Sequence, residues 1–135
     1  MRKRALKIMR LILVGLCVLV AVPLVMVPLY WVVPPVSTTM IYRTVTLQPV
    51  TREWRDIDAI SDRVKASVVA SEDGQFCRHW GIDLGAFRTE LTNWAKGRRA
   101  RGASTITMQV ARNLFLWNGR STLRKALELP LAAYL

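Results

Sequence analysis

From Leu11 to Val33 the chain carries no charged residue. Those 23 positions, at ~1.5 Å each in a helix, make about 34 Å, enough to cross a hydrocarbon core roughly 30 Å thick. Arg2, Lys3, Arg4, Lys7 and Arg10 precede the run with no acid among them, a bias that places the N-terminus in the cytoplasm. Tyr30 and Trp31 stand at the far end, where an interfacial aromatic belt belongs. A cleaved secretory signal would have an apolar region of about 7–15 residues closing on an A-x-A-like site. This run is longer, and Ala21-Val22-Pro23 fits that site poorly. Pro23 and Pro28 are no obstacle, since membrane spans tolerate proline. The expectation is a basic cytoplasmic segment over 1–10 and a retained single-pass anchor over 11–33. The remaining residues then face the outside or the periplasm.

With 135 residues in all, the chain beyond the anchor has room for one small domain. Removing the five leading bases from 20 Lys+Arg leaves 15 against 9 Asp+Glu, a net +6. That excess favours anionic partners such as phosphates or lipid headgroups. Nucleic acid is excluded by the topology, which carries the domain out of the cytoplasm. Cys17 lies in the span and Cys77 beyond it, so no disulfide framework and no metal-ligand spacing is present. Burial beside Phe76 is the expected fate of the Cys77 thiol.

Val33-Pro34-Pro35-Val36-Ser37 ends the span, because a double proline cannot continue a helix. It opens a linker over 34–50, in which the β-branched residues from Met40 to Val50 predict a short extended segment. The domain proper is expected over 51–135. There Ile57, Ile60, Val64 and Val68 recur at helical spacing, and Ser61 is placed to cap a second short helix running into Glu72. Leu84, Phe87, Leu91 and Trp94 share another helical face, with Asp83 as its cap. Lys96 to Gly102 holds four basic residues and two glycines and reads as a loop. Val110, Leu114 and Phe115 give the next helix its apolar side. Asn118-Gly119 is a turn signal, and Ser121 caps a last helix from about Thr122. The pattern is mainly α, with a thin core for its size.

Chemistry concentrates in two stretches. Glu72 and Asp73 stand close to His79, the only histidine. A carboxylate partly desolvated behind an apolar helix suits a general base, worth ~10²–10⁴ in rate. The bland alternative is a solvated helix end. His79 either orients a carboxylate or ties down its own loop, and Asp73 either joins that site or bonds backbone amides. Ser104, Thr105, Thr107 and Gln109 then gather three hydroxyls and an amide within Gly102 to Gln109. They can meet phosphate or sugar oxygens, or simply cap a helix. No Walker-type pattern is present. Arg124, Lys125 and Glu128 fall at three- and four-residue spacing on the last helix. By default they form a surface ion-pair lattice worth a few tenths of a kcal/mol. Their functional reading is a cation facing a diphosphate with a second carboxylate beside it. The five tryptophans read as core or interfacial anchors.

Glu72-Asp73-x-x-Phe76-x-x-His79-x-Gly81 resembles the first signature of the family 51 glycosyltransferases, the peptidoglycan glycosyltransferases. Gly102 to Gln109 with Ala111-Arg112-Asn113 resembles the second, and Arg124-Lys125-x-x-Glu128 the third. The likeness runs from about Pro34 to the end and is nearest to the monofunctional biosynthetic transglycosylases. It implies a mainly helical, lysozyme-like lobe with a second, membrane-dipping one. It also implies a bacterial inner-membrane enzyme that polymerises lipid II into glycan strands, with inversion and release of undecaprenyl diphosphate. Glu72 would be the base and Glu128 a second catalytic carboxylate, with Asp73, Phe76 and His79 supporting them. Ser104, Thr105, Gln109, Arg112, Lys125 and Arg88 would bind substrate, and the 96–101 loop would lie over the cleft. No cofactor is implied, although a divalent cation is compatible. Partners would be lipid II, the growing glycan, the membrane and other wall-building proteins. Met108 stands where the second signature often has glutamine. The family's domain continues past its third signature, so the chain reads as an incomplete domain.

Two other readings compete. A lysozyme or lytic transglycosylase also uses one glutamate in a helical lobe, but as an acid on finished glycan. The cations Arg112 and Lys125 favour a diphosphate leaving group, which glycan hydrolysis does not need. A non-catalytic, membrane-anchored scaffold binding anionic lipid through 96–101 is the third reading, and for it Glu72 would be dispensable.

Overall fold

A computed structural model describes residues 2–98, 102–119 and 121–135. The chain divides into two units, Met1–Pro35 and Val36–Leu135. The first is essentially one helix, α1 (Arg2–Leu29), with Pro23 and Pro28 inside it. From Arg4 to Leu29 it is long and apolar enough to cross a membrane. It stops four residues short of the predicted end. Trp31 and Val32 donate to the carbonyls of Pro28 and Leu29 at 3.2 and 3.1 Å, a tightening to i→i−3 bonds that commonly closes a helix.

The second unit contains α2 (Thr38–Val45), α3 (Asp62–Glu72), α4 (Leu84–Ala95), α5 (Ile106–Phe115) and α6 (Thr122–Tyr134). Short 3₁₀ turns lie at Ile57–Ala59 and Phe76–Arg78. No strand occurs among the described residues, and the architecture is mainly α, as the periodicity predicts. Two of the three predicted caps form, and Thr105 realises the capping alternative for the hydroxyl-rich segment. Asp83 Oδ1 accepts from Ala86 N–H at 2.8 Å, and Ser121 Oγ from Arg124 N–H at 3.4 Å. Thr105 Oγ1 accepts from Met108 N–H at 3.1 Å. Ser61 occupies the cap position of α3 without a side-chain bond.

The extended segment predicted within 40–50 is largely helical instead. Ser37 Oγ accepts from Met40 N–H at 3.1 Å, and the Thr38 hydroxyl bonds the carbonyls of Asn113 and Leu116 at the end of α5. Asn118 Nδ2 donates to Thr39 Oγ1 at 2.9 Å. A cap and three tertiary contacts outweigh a weak β preference, which spans only ~1 kcal/mol in measured hosts.

The core lies where α5 meets α6. Met108, Ala111 and Ala132 are buried, with Ile82, Leu129 and Leu131 packed against them. The buried side of α5 is therefore Met108 and Ala111, whereas Val110 is exposed and Leu114 and Phe115 are half-buried. α3 and α4 bury no residue: Val64, Val68, Leu84, Leu91 and Trp94 all remain exposed. Cys77, expected to be buried, is also exposed, because the Phe76–Arg78 turn presents it at the surface.

Gly81 lets its loop approach α6. Its φ is 76°, and a Cβ there would lie 2.0 Å from the Ala132 carbonyl oxygen and 2.8 Å from its carbon. Both neighbours are backbone and cannot swing aside. Gly81→Ala should therefore cost about 3 kcal/mol, combining left-handed strain with overpacking. Urea unfolding of the detergent-solubilised protein measures this, and a loss under about 0.5 kcal/mol, the range of ordinary surface changes, would contradict the close approach.

Candidate active site

α3 ends at Glu72, and the next residue turns back into the domain. Asp73 and His79 have side chains only 3% and 8% exposed. His79 Nε2 lies 2.9 Å from Asp73 Oδ1. Because an ionised carboxylate only accepts, the ring donates through Nε2. Asp73 Oδ2 accepts from the backbone N–H of Ile106 at 3.0 Å. That N–H opens α5 and has no partner within its own helix, so Asp73 caps a helix 33 residues away in sequence. The negative charge also sits favourably at the positive end of the α5 dipole. Phe76 meets the His79 ring edge-on, with centroids 6.3 Å apart.

Thr105 secures the same helix end from a second direction. While its oxygen receives Met108 N–H, its hydroxyl donates to the Gly81 carbonyl at 2.6 Å. The loop of the first motif and the start of the second are thus joined twice, through Asp73 and through Gly81. Gln109, one turn into α5, then reaches Glu72: its Nε2 donates to Oε2 at 2.9 Å.

Glu72 itself is exposed, contrary to the expected partial desolvation. The reason is local, since α3 has no buried face in this chain. Glu128 is in the opposite situation. It is 3% exposed and forms an ion pair with Arg124, itself 9% exposed, one turn earlier on α6. The expected surface lattice is thus a buried pair. Lys125, Arg88 and the half-buried Arg112 make no ion pair among the described residues, and Ser104 is half-buried. The basic loop reading at 99–101 lies outside the described residues; Lys96 and Arg98 are exposed, and Gly102 N–H donates to Glu90 Oε2 at 3.3 Å. No group of three or more metal-ligating side chains occurs among the described residues.

The transglycosylase family model matches residues 38–135, covering all three motifs and every helix of the second unit. This chain belongs to the transglycosylase family. It is 49% identical over 133 residues to a biosynthetic peptidoglycan transglycosylase of Nitrobacter winogradskyi, covering 98% of this chain and 58% of that protein. Proteins of the same description from Rhodopseudomonas palustris and Agrobacterium fabrum are 46% and 50% identical, with 98% and 90% of this chain covered. The chain spans 56% and 54% of those two, so it corresponds to a little over half the length of these transglycosylases.

Sequence reasoning missed two parts of the geometry. It includes a bond from Asp73 to backbone amides among its expectations, but not that the amide is Ile106 N–H at the start of α5, because no local signal marks a cap 33 residues distant. It also missed the burial of Arg124 with Glu128, although their four-residue spacing was the available clue. Removing one partner strands a buried charge, so Arg124→Met should destabilise the protein by about 3–5 kcal/mol. Combining it with Glu128→Leu should recover most of that loss. Thermal unfolding of the single and double variants decides; a double variant no more stable than the single one would contradict the pairing.

Proposed function

We propose that the protein of which this chain forms part is a peptidoglycan glycosyltransferase. In this reading it polymerises lipid II into glycan strands at the bacterial inner membrane. α1 is the single-pass anchor, with its basic end in the cytoplasm and the domain in the periplasm. The observation that carries the reading is the 2.9 Å hydrogen bond between Glu72 and Gln109. It brings the first and second motifs together at one carboxylate.

Glu72 takes the proton from the acceptor's 4-hydroxyl as that oxygen forms a bond to the anomeric carbon of the growing chain. The bond from that carbon to the lipid diphosphate breaks on the opposite face, which inverts the configuration. Negative charge grows on the departing diphosphate. Arg112 and Lys125, unpaired among the described residues, supply cations to meet it. Ser104 flanks the donor, whereas Thr105, buried and with its hydroxyl engaged by Gly81 and Met108, holds the start of α5 and does not bind substrate. Arg88 adds to the cationic surroundings, and Glu128 fixes Arg124 on the helix that carries Lys125. Other wall-building proteins are the expected partners.

The same free cations favour this reading over a glycan hydrolase, whose leaving group bears no diphosphate. In the full-length protein, Glu72→Gln should reduce lipid II polymerisation by at least ~10²-fold, the lower range of general-base effects. Electrophoresis of labelled glycan chains measures it. Undiminished polymerisation would remove Glu72 as the base, while clearing of purified cell wall by the unmodified protein would favour the hydrolase.

A further inference from the structure

We propose that Gln109 is a positioning residue for Glu72: its amide fixes one carboxylate oxygen and leaves the other facing the sugar hydroxyl. This assignment rests on Glu72 being the base, and it differs from the donor-binding role that the motif alone implies for Gln109.

Glu72 is the last residue of α3 and is exposed. A glutamate so placed has three rotatable side-chain bonds and no wall to hold it. Its single side-chain hydrogen bond among the described residues comes from Gln109 Nε2 to Oε2. Oε1 is left without a partner there. An ionised carboxylate only accepts, so the glutamine must present its NH₂ and not its carbonyl. The contact therefore has one polarity, and it selects one carboxylate orientation.

The donor is better held than the acceptor. Gln109 is half-buried, and its own N–H bonds the Thr105 carbonyl at 3.0 Å in the first turn of α5. Thr105 is in turn tied to Gly81, and Ile106 to Asp73, the residue directly after Glu72. The backbone that carries the base and the helix that carries the amide are thus pinned together one residue away from the base. A neutral donor has a further advantage over a cation at this position. It orients the carboxylate without neutralising the charge that must attract a proton.

Misplacing a reacting group by about 1 Å can cost ~10²-fold in rate. In the full-length protein, Gln109→Met, which keeps the length but loses the donor, should lower kcat for lipid II polymerisation by ~10²-fold, with KM changed less than about twofold. Gln109→Asn, shorter by one methylene of about 1.5 Å, should lose kcat similarly and covers the case in which Gln109→Met does not fold. The same substitution is then made together with Glu72→Asp, which withdraws the carboxylate from reach of the amide. There, Gln109→Met should cost less than about threefold, because residues that act as a unit are not additive. A rise in KM at constant kcat, or an equal loss in both backgrounds, would overturn the positioning role and leave Glu72 untouched as the base. Full kcat in Glu72→Asp alone would instead count against the base assignment.

Discussion

The second unit depends on one buried carboxylate. Asp73 binds His79 on one oxygen and the first N–H of α5 on the other. Hydrogen bonds to a charged group contribute about 1.5–3 kcal/mol each, whereas a buried acceptor left unmade costs as much or more. In a core whose buried apolar members at the α5–α6 contact are Met108, Ala111 and Ala132, that is a large share of what orders the loop. It also explains how a short, polar segment from Asp73 to Gly81 keeps one shape. His79 anchors its far half, Gly81 fits against Ala132, and Thr105 closes the circuit onto the Gly81 carbonyl. The functional consequence is geometric. Glu72 precedes Asp73 by one residue, so fixing Asp73 against α5 fixes where Glu72 begins.

Much of this was legible in the residues. The long apolar run, the caps at Asp83 and Ser121, and the helical periods of α3 to α5 arise from rules that act within one or two turns. Two of the failures involve contacts distant in sequence. The segment from Met40 reads as extended because Ile41, Thr44, Val45 and Thr46 are β-branched, and only the meeting of Thr38 and Thr39 with Asn113, Leu116 and Asn118 makes the helix intelligible. Val110 reads as core because it matches Leu114 at four residues, yet α6 approaches from the side of Met108 and Ala111. The candidate site was legible as a set of residues, through its motifs. Its connections were not, since neither the Asp73–Ile106 bond nor the Gln109–Glu72 bond has a local signature.

Burial is unevenly distributed among the helices that carry the motifs. α5 and α6 hold the core, while α3 and α4 leave Val64, Val68, Leu84, Leu91 and Trp94 exposed. Covering one such side chain is worth about 1.5–3 kcal/mol, so these faces are where added contacts would stabilise the domain most. Yet the elements that meet at the candidate site do not wait on those faces. Asp73, Gly81, Thr105 and Gln109 are joined by hydrogen bonds around the start of α5.

The two glutamates of the motifs sit in contrasting surroundings, and the contrast assigns them different work in the proposed reaction. Glu128 is buried with a guanidinium one turn away. Its carboxylate is committed to that guanidinium and covered from an incoming substrate. Glu72 is exposed and touched by a neutral amide. No cation pairs with it among the described residues, and its second oxygen is open to an incoming hydroxyl. Glu128 is therefore suited to holding the geometry of α6, including the direction in which Lys125 leaves that helix. In the proposed reaction, proton transfer falls to the carboxylate that is uncovered and unpaired with a cation.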